Sequence, residues 1–177
     1  MIDVSIDIET LALRQGASIA TIGVCAVSRV LRPSDTPSVF DDFYVVIDDP
    51  GGVIEPSCVR WHVAQDDPVG NLGTEAVSLE AGLQKLSAWM REIGANEKGE
   101  ARIWSHATFD VPIIEAAYQR IGLKPPWDYR NCRDLRTLYD LAGGRPEVSN
   151  ERVHHALSDA IAQMQEIQFC LNRIKHA

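Results

Sequence analysis

The hydrophobic pattern of this chain changes its period partway along, and that change restricts the fold more than any single residue does. Ile2 to Ile8 sets apolar Val4, Ile6 and Ile8 against Asp3, Ser5 and Asp7, the two-residue period of a strand. Ala17 to Val30 is rich in β-branched residues, as a central strand would be, and Phe40 to Ile47 supplies a third strand. The connections between them are short to moderate and carry Pro33, Pro37 and Asp-Asp pairs, so an antiparallel meander is expected, ended by Asp48-Asp49-Pro50-Gly51-Gly52.

Beyond that break, helical spacing takes over. Ser57 to Gln65 reads as a short helix carrying Trp61, and Ser78 to Ile93 as a longer one with Leu79, Leu83, Leu86 and Met90 on one stripe. Ala101 to His106 reads as a buried strand, and Asp110 to Ile121 as a helix with Pro112 in its first turn, where a missing N–H costs little. Asp128 to Cys132 is expected as a last strand and Arg133 to Leu141 as a short helix closed by Gly143-Gly144. Ala156 to Ile174 is the terminal helix, with Leu157, Ile161, Met164, Gln168, Leu171 and Ile174 along one side. A meander of strands followed by strands alternating with helices implies an α/β domain built on one mixed sheet with helices packed on it. No repeat or linker divides residues 1–177, so a single domain is expected.

At 177 residues the chain is long enough to bury a core without staples. No apolar run approaches a membrane span, and Met1-Ile2-Asp3 lacks the basic start of a signal peptide. Cys25, Cys58, Cys132 and Cys170 are widely spaced with no paired motif, which reads as thiols in a reducing cytoplasm rather than zinc ligands or disulfides. The net charge of −8 argues against a protein that coats a duplex by neutralising its phosphates. It is compatible with a nuclease whose acids hold cations. Between Arg120 and Arg152 basic residues outnumber acids; a local basic strip of this kind suits a short single strand, or is a solvated face.

Chemistry concentrates in three segments. Asp7 and Glu9 sit in Val4-Ser5-Ile6-Asp7-Ile8-Glu9-Thr10, Asp110 ends Trp104-Ser105-His106-Ala107-Thr108-Phe109-Asp110, and His154 and Asp159 lie in His154-His155-Ala156-Leu157-Ser158-Asp159-Ala160. Residues two apart on a strand point to the same face, so Asp7 and Glu9 present paired carboxylates; the alternative is a solvated strand edge. Asp110 opens a helix, where it could equally cap free backbone N–H groups. Asp159 lies roughly 130° from the apolar stripe of its helix at 3.6 residues per turn, facing solvent or a cleft, with His154 on the preceding loop. Carboxylates gathered from three segments beside an imidazole are what a two-metal phosphodiesterase needs.

Asp-Ile-Glu-Thr near the start, Phe-Asp after a mid-chain strand and His-x-Ala-x-x-Asp-Ala before a final helix together resemble the three motifs of the DEDDh 3′–5′ exonucleases, in the ribonuclease H-like superfamily. Asn131-Cys132-Arg133-Asp134-Leu135-Arg136-Thr137, preceded by Trp61-x-x-x-Gln65, looks most like the small phage and bacterial single-domain exonucleases of the ribonuclease AS type. The resemblance implies a ribonuclease H-like fold and hydrolysis from the 3′ end of single-stranded RNA or DNA, RNA favoured. Asp7, Glu9, Asp110 and Asp159 would hold two Mg²⁺ or Mn²⁺ ions, and His154 would act as general base. Thr10 and Leu13 match positions that contact and wedge the terminal nucleotide. Trp61 is a candidate to stack on a base and Arg133 and Arg136 to bind phosphate, although core packing and ion pairs with Asp134 or Asp140 are competing uses for them. Phe109 reads as core and Asp134 as a helix cap. Leu11-Ala12 stands where the family often has Thr-Gly, and Ser105-His106 where many members have His-Asn. His155 adjoins His154, and the family register selects His154. Many relatives form homodimers. Readings of another class are a phosphotransferase or endonuclease on the same fold, and a non-catalytic single-strand-binding module.

Overall fold

The structure, a computed structural model, describes residues 2–28, 41–65, 75–95, 101–150 and 152–175. The strands expected from the two-residue period form β1 (Ile2–Thr10), β2 (Ile19–Ser28) and β3 (Asp41–Asp48), paired antiparallel in sequence. Val30, Phe40 and the prolines of the connection between β2 and β3 lie outside the described residues. Helix α1 (Pro56–Val63) follows, then a two-residue strand β4 (Val77–Ser78) and helix α2 (Leu79–Glu92). Strand β5 (Ala101–Ser105) leads into α3 (Asp110–Arg120), strand β6 (Cys132–Asp134) into α4 (Leu135–Leu141), and α5 (Ala156–Lys175) ends the fold.

The six strands form one mixed sheet in the order β4-β3-β2-β1-β5-β6, with β5 and β6 added parallel to β1. Strand β4 was not expected; Val77 pairs with Ile47 and extends the sheet parallel to β3 before Ser78 caps α2 through Ala81 N–H at 3.3 Å. The sequence places the last strand too early. Residues Tyr129–Asn131 form a single 3₁₀ turn because Asp128 takes the Arg130 N–H at 2.8 Å. Pairing begins only at Cys132, and Asp134 then caps α4 by accepting Thr137 N–H at 2.9 Å.

Both faces of the sheet are covered. Val4, Ile6 and Ile8 of β1 face a core shared with Leu83, Leu86 and Met90 of α2 and Ile113, Ile114 and Tyr118 of α3. Cys25 and Val27 of β2 and Trp104 of β5 face a second core with Leu135, Leu138 and Tyr139 of α4 and Ala160, Met164, Ile167 and Cys170 of α5. Asp3 and Ser5 of β1 are therefore buried too, and each finds a partner. Trp104 Nε1–H donates to Asp3 Oδ1 at 2.8 Å, and Ser5 Oγ–H to Gln163 Oε1 at 3.2 Å.

The expected stripe of α5 is corrected. Its buried residues are Ala156, Ala160, Ala162, Gln163, Met164, Glu166, Ile167 and Cys170, whereas Ile174 is exposed and Leu157, Ile161, Gln168 and Leu171 are half-buried. Close approach decides this. A Cβ on Gly23 of β2 would come within 2.1 Å of the Ala156 carbonyl carbon and the Leu157 nitrogen, so the start of α5 rests on the bare backbone of β2 through small residues.

Candidate active site

The C-terminal end of β1 meets the start of α3 and the start of α5, and each delivers a carboxylate. Asp7 and Glu9 come from β1, where the register with β2 shifts between Glu9 and Thr10; a bulge at this point re-aims the strand's last side chains. Asp110 is the first residue of α3 and is 1% exposed. Its Oδ2 accepts His106 N–H at 2.9 Å, closing the turn that leaves β5, so it serves as a cap and as a member of the acid cluster at once. Asp159, in the first turn of α5, accepts His154 N–H on Oδ2 at 2.9 Å and the Asn150 amide on Oδ1. Asn150 is itself held by Ser158 Oγ–H at 2.9 Å.

Ligand atoms from Glu9, His154 and Asp159 all lie within 4.8 Å of one another. Asp7 feels the charge of the other three acids. Its carboxyl is pushed well above the usual range, first by burial, then by Asp110, Asp159 and Glu9. Burial raises Glu9 to about 8, with Asp159 and Asp110 adding repulsion. Burial likewise raises Asp110 to about 7, against the pull of the His106 N–H and of Arg136. Asp159 is raised by burial and partly relieved by Asn150 and His154. Desolvated, mutually repelling carboxylates that hold on to protons this firmly fit a divalent cation site, and an all-oxygen acidic donor set favours a hard ion.

His154 has φ of 66°, a left-handed conformation uncommon for a side-chain-bearing residue. This turn lets its backbone N–H bind Asp159 while its ring meets Trp61 edge-on at 4.6 Å between centroids. His155 points elsewhere: it stacks on Tyr44 at 4.6 Å, and its Nδ1 lies 3.5 Å from the Ser158 N–H.

Two cavities flank the acids. One, of about 440 Å³, is lined by Ile8, Glu9, Thr10, Leu13, Ser57, Cys58, Trp61, His62 and Phe109 and is mostly apolar. Leu13 is 72% and Trp61 44% exposed at its wall. Phe109 packs partly on the core as expected but also reaches this wall. Thr10 is buried and donates its hydroxyl to Ala12 O at 2.7 Å. The second cavity, of about 390 Å³, is more polar than the first and takes in Asp7, Asp159, His106 and Arg145. Of the two arginines singled out in the sequence, Arg133 donates to the Arg130 and Cys132 carbonyls at 2.6 and 2.8 Å. Arg136 reaches Thr108 Oγ1 at 3.4 Å and helps hold Asp110 in its charged form. Neither lines the two cavities; the arginine that does is Arg145, paired with Glu166 at 2.9 Å.

Sequence reasoning missed three side chains. Gln163 donates to Asp7 Oδ1 at 2.7 Å; its signal was its place one turn after Asp159 on the same face of α5. Asn150 lay in a loop without periodicity and gave none. His62 is 4% exposed, with Nε2 on Thr10 O at 2.8 Å; its i, i+4 spacing from Cys58 marks the buried side of α1.

The family model of the 3′–5′ exoribonuclease Rv2179c-like domain matches residues 2–171. Comparison with curated proteins returns no match. Among solved structures, the fold is similar to the nuclease domain of 3′hExo, a DEDDh family member bound to rAMP. The identity is 15% and the TM-score 0.61, over 99% of this chain and 92% of that one. It is similar also to E. coli exonuclease I in complex with a dT13 oligonucleotide, at 13% identity and TM-score 0.61, covering 98% of this chain and 41% of that one. The zinc-bound form of the exonuclease I complex with single-stranded DNA gives 14% identity and TM-score 0.62, over 99% and 42%. This chain thus spans about two fifths of exonuclease I. At such identities the likeness is one of fold: a mixed sheet flanked by helices, in the ribonuclease H-like arrangement.

Proposed function

The chain belongs to the Rv2179c-like 3′–5′ exoribonuclease family, and on that premise we propose that it hydrolyses single-stranded RNA from the 3′ end with two Mg²⁺ or Mn²⁺ ions. The observation that carries the reading is the meeting of Asp7, Glu9, Asp110, Asp159 and His154 beside a largely apolar cleft. The four carboxylates are the residues that would hold the ions. When bound, the ions supply Lewis-acid stabilisation of the charge that develops on the phosphoryl group and the departing 3′ oxygen.

The protein's own groups do the rest. His154, turned into the site by its left-handed backbone and braced by Trp61, accepts the proton of the attacking water as general base. Asp159 orients His154 through the backbone N–H as well as contributing to the acid cluster. Gln163 fixes one oxygen of Asp7, leaving the other for an ion. The apolar cleft takes the terminal nucleotide, with Trp61 and Phe109 offering ring faces or edges to a base and Leu13 standing exposed beside it.

The preference for RNA draws on the family description and on the rAMP bound to 3′hExo. Removal of deoxynucleotides by the same site is the second reading, favoured by the DNA oligonucleotides on exonuclease I. Matched 5′-labelled RNA and DNA strands incubated with Mg²⁺ or Mn²⁺ test both. Stepwise shortening from the 3′ end, faster on RNA and abolished by chelation, is expected. Internal fragments, or single-strand binding with no hydrolysis, would overturn the proposal.

A further inference from the structure

Among the described residues that line the apolar cleft, one buried side-chain polar atom has no hydrogen-bond partner. His62 is 4% exposed, and its Nε2 is spent on Thr10 O at 2.8 Å. A carbonyl oxygen only accepts, so Nε2 carries a proton, and in the ring with that single proton Nδ1 presents a lone pair. That Nδ1 is buried without a hydrogen-bond partner, and Glu9 Oε2 lies 4.0 Å away. His62 Nδ1 and Glu9 Oε2 thus sit side by side at the end of the cleft nearest the acids, too far apart to bond each other. A buried polar atom left orphaned in this way is costly and calls for an explanation in function.

Resting on the exonuclease reading above, we propose that His62 Nδ1 accepts the 2′-hydroxyl of the 3′-terminal ribose and so makes the site select RNA ends. In a terminal nucleotide seated in the cleft, the sugar is the part closest to the phosphate and hence to Glu9, while the base extends toward Trp61 and Leu13. A ribose carries two vicinal hydroxyls, separated by about one hydrogen-bond length. One donates to the Glu9 carboxylate and its neighbour to Nδ1. A deoxyribose end satisfies the first acceptor and leaves the second bare. Sites built to bond a substrate hydroxyl reject the analogue lacking it, because the protein's own polar group is then stranded.

The test compares a 5′-labelled RNA oligonucleotide with the same strand carrying a single 2′-deoxy or 2′-fluoro residue at its 3′ terminus, scoring removal of that one nucleotide with Mn²⁺ present. The wild type is expected to favour the ribose end by about ten- to hundredfold in kcat/KM. The 2′-fluoro end, near-equal in shape but unable to donate, should be removed as slowly as the deoxy end. His62→Gln keeps an N–H where Nε2 faces Thr10 O and lacks Nδ1; its ratio between ribose and deoxy ends should collapse toward one. Because the ratio is internal to each protein, a general loss of activity cancels. A wild-type ratio of one, a 2′-fluoro end removed as fast as ribose, or the full ratio retained in His62→Gln each overturns the assignment. Failure of the wild type to release a nucleotide from any of the strands would overturn the exonuclease reading instead.

Discussion

Gln163 uses its whole amide to fix the carboxylate it faces. Its Nε2 donates to Asp7 Oδ1 at 2.7 Å, and its Oε1 accepts Ser5 Oγ–H at 3.2 Å, so neither end of the group is free to rotate. Gln163→Leu keeps the volume and removes the bond. Metal activation should then require roughly 10–100-fold more Mn²⁺, with the melting temperature lowered because the buried Ser5 hydroxyl loses its acceptor; an unaltered Mn²⁺ titration would remove Gln163 from the site. The two adjacent histidines make a sharper contrast. His154→Ala removes the ring beside Glu9 and Asp159 and should slow turnover by about 10²–10⁴-fold. His155→Ala removes a ring stacked on Tyr44 and should lower stability while sparing turnover. Asp7→Asn and Asp159→Asn should abolish cleavage in a folded protein. Equal rate losses in the two histidine variants, or an active Asp7→Asn, would refute the assignment of these roles.

Among the elements, the seating of α5 on β2 carries the greatest consequence, because that helix and the turn before it deliver His154, Asp159 and Gln163 together. The contact is made by Gly23, Ala156 and Ala160, with Cys25 Sγ lying 3.2 Å from the Ala160 carbonyl. In Gly23→Ala the new methyl group meets backbone 2.1 Å away, which no side-chain rotation can relieve. A loss of about 1–3 kcal/mol or more is expected, together with loss of activity as Asp159 is pushed from Glu9. A fully active, fully stable Gly23→Ala would show that α5 sits elsewhere. This contact also explains what the sequence concealed. The meander and the three acid segments were legible because strand period and carboxylates at element ends are local signals. The buried side of α5 was not, since apolar size pointed to Leu157, Ile161 and Ile174, whereas the sheet admits only small residues where the start of the helix crosses Gly23. For the same reason Asp159, Gln163 and Glu166 face a polar seam beside β1 rather than open solvent. Partners joined across more than a hundred residues, such as Ser5 and Gln163, leave no pattern along the chain.

At the scale of the whole molecule, a protein of net charge −8 that acts on a polyanion must neutralise its own site before a phosphate can enter. Burial raises Glu9 from an ordinary 4.5 to about 8 and Asp110 from 3.8 to about 7. Between those values the metal-free folded protein binds protons that the unfolded chain has released. This contribution to stability is complete below the ordinary carboxylate range and is lost as pH rises through 7 and 8. Divalent ions compete with those protons for the same oxygens, so their stabilising effect should run the opposite way. With a chelator present, the melting temperature should fall between about pH 5 and pH 8, and saturating Mn²⁺ should raise it far more at the upper value than at the lower. Glu9→Gln removes the charge that repels Asp159 and Asp110 and should raise the chelated protein's melting temperature at the alkaline end by roughly 5 °C or more. Near pH 5, where Glu9 is already protonated in the fold, the same substitution should change little. Thermal melts of both proteins across this range, with chelator and with Mn²⁺, decide the matter. An Mn²⁺ shift of equal size at every pH, or a Glu9→Gln protein no more stable than wild type under chelation, would mean that the four acids do not share one site.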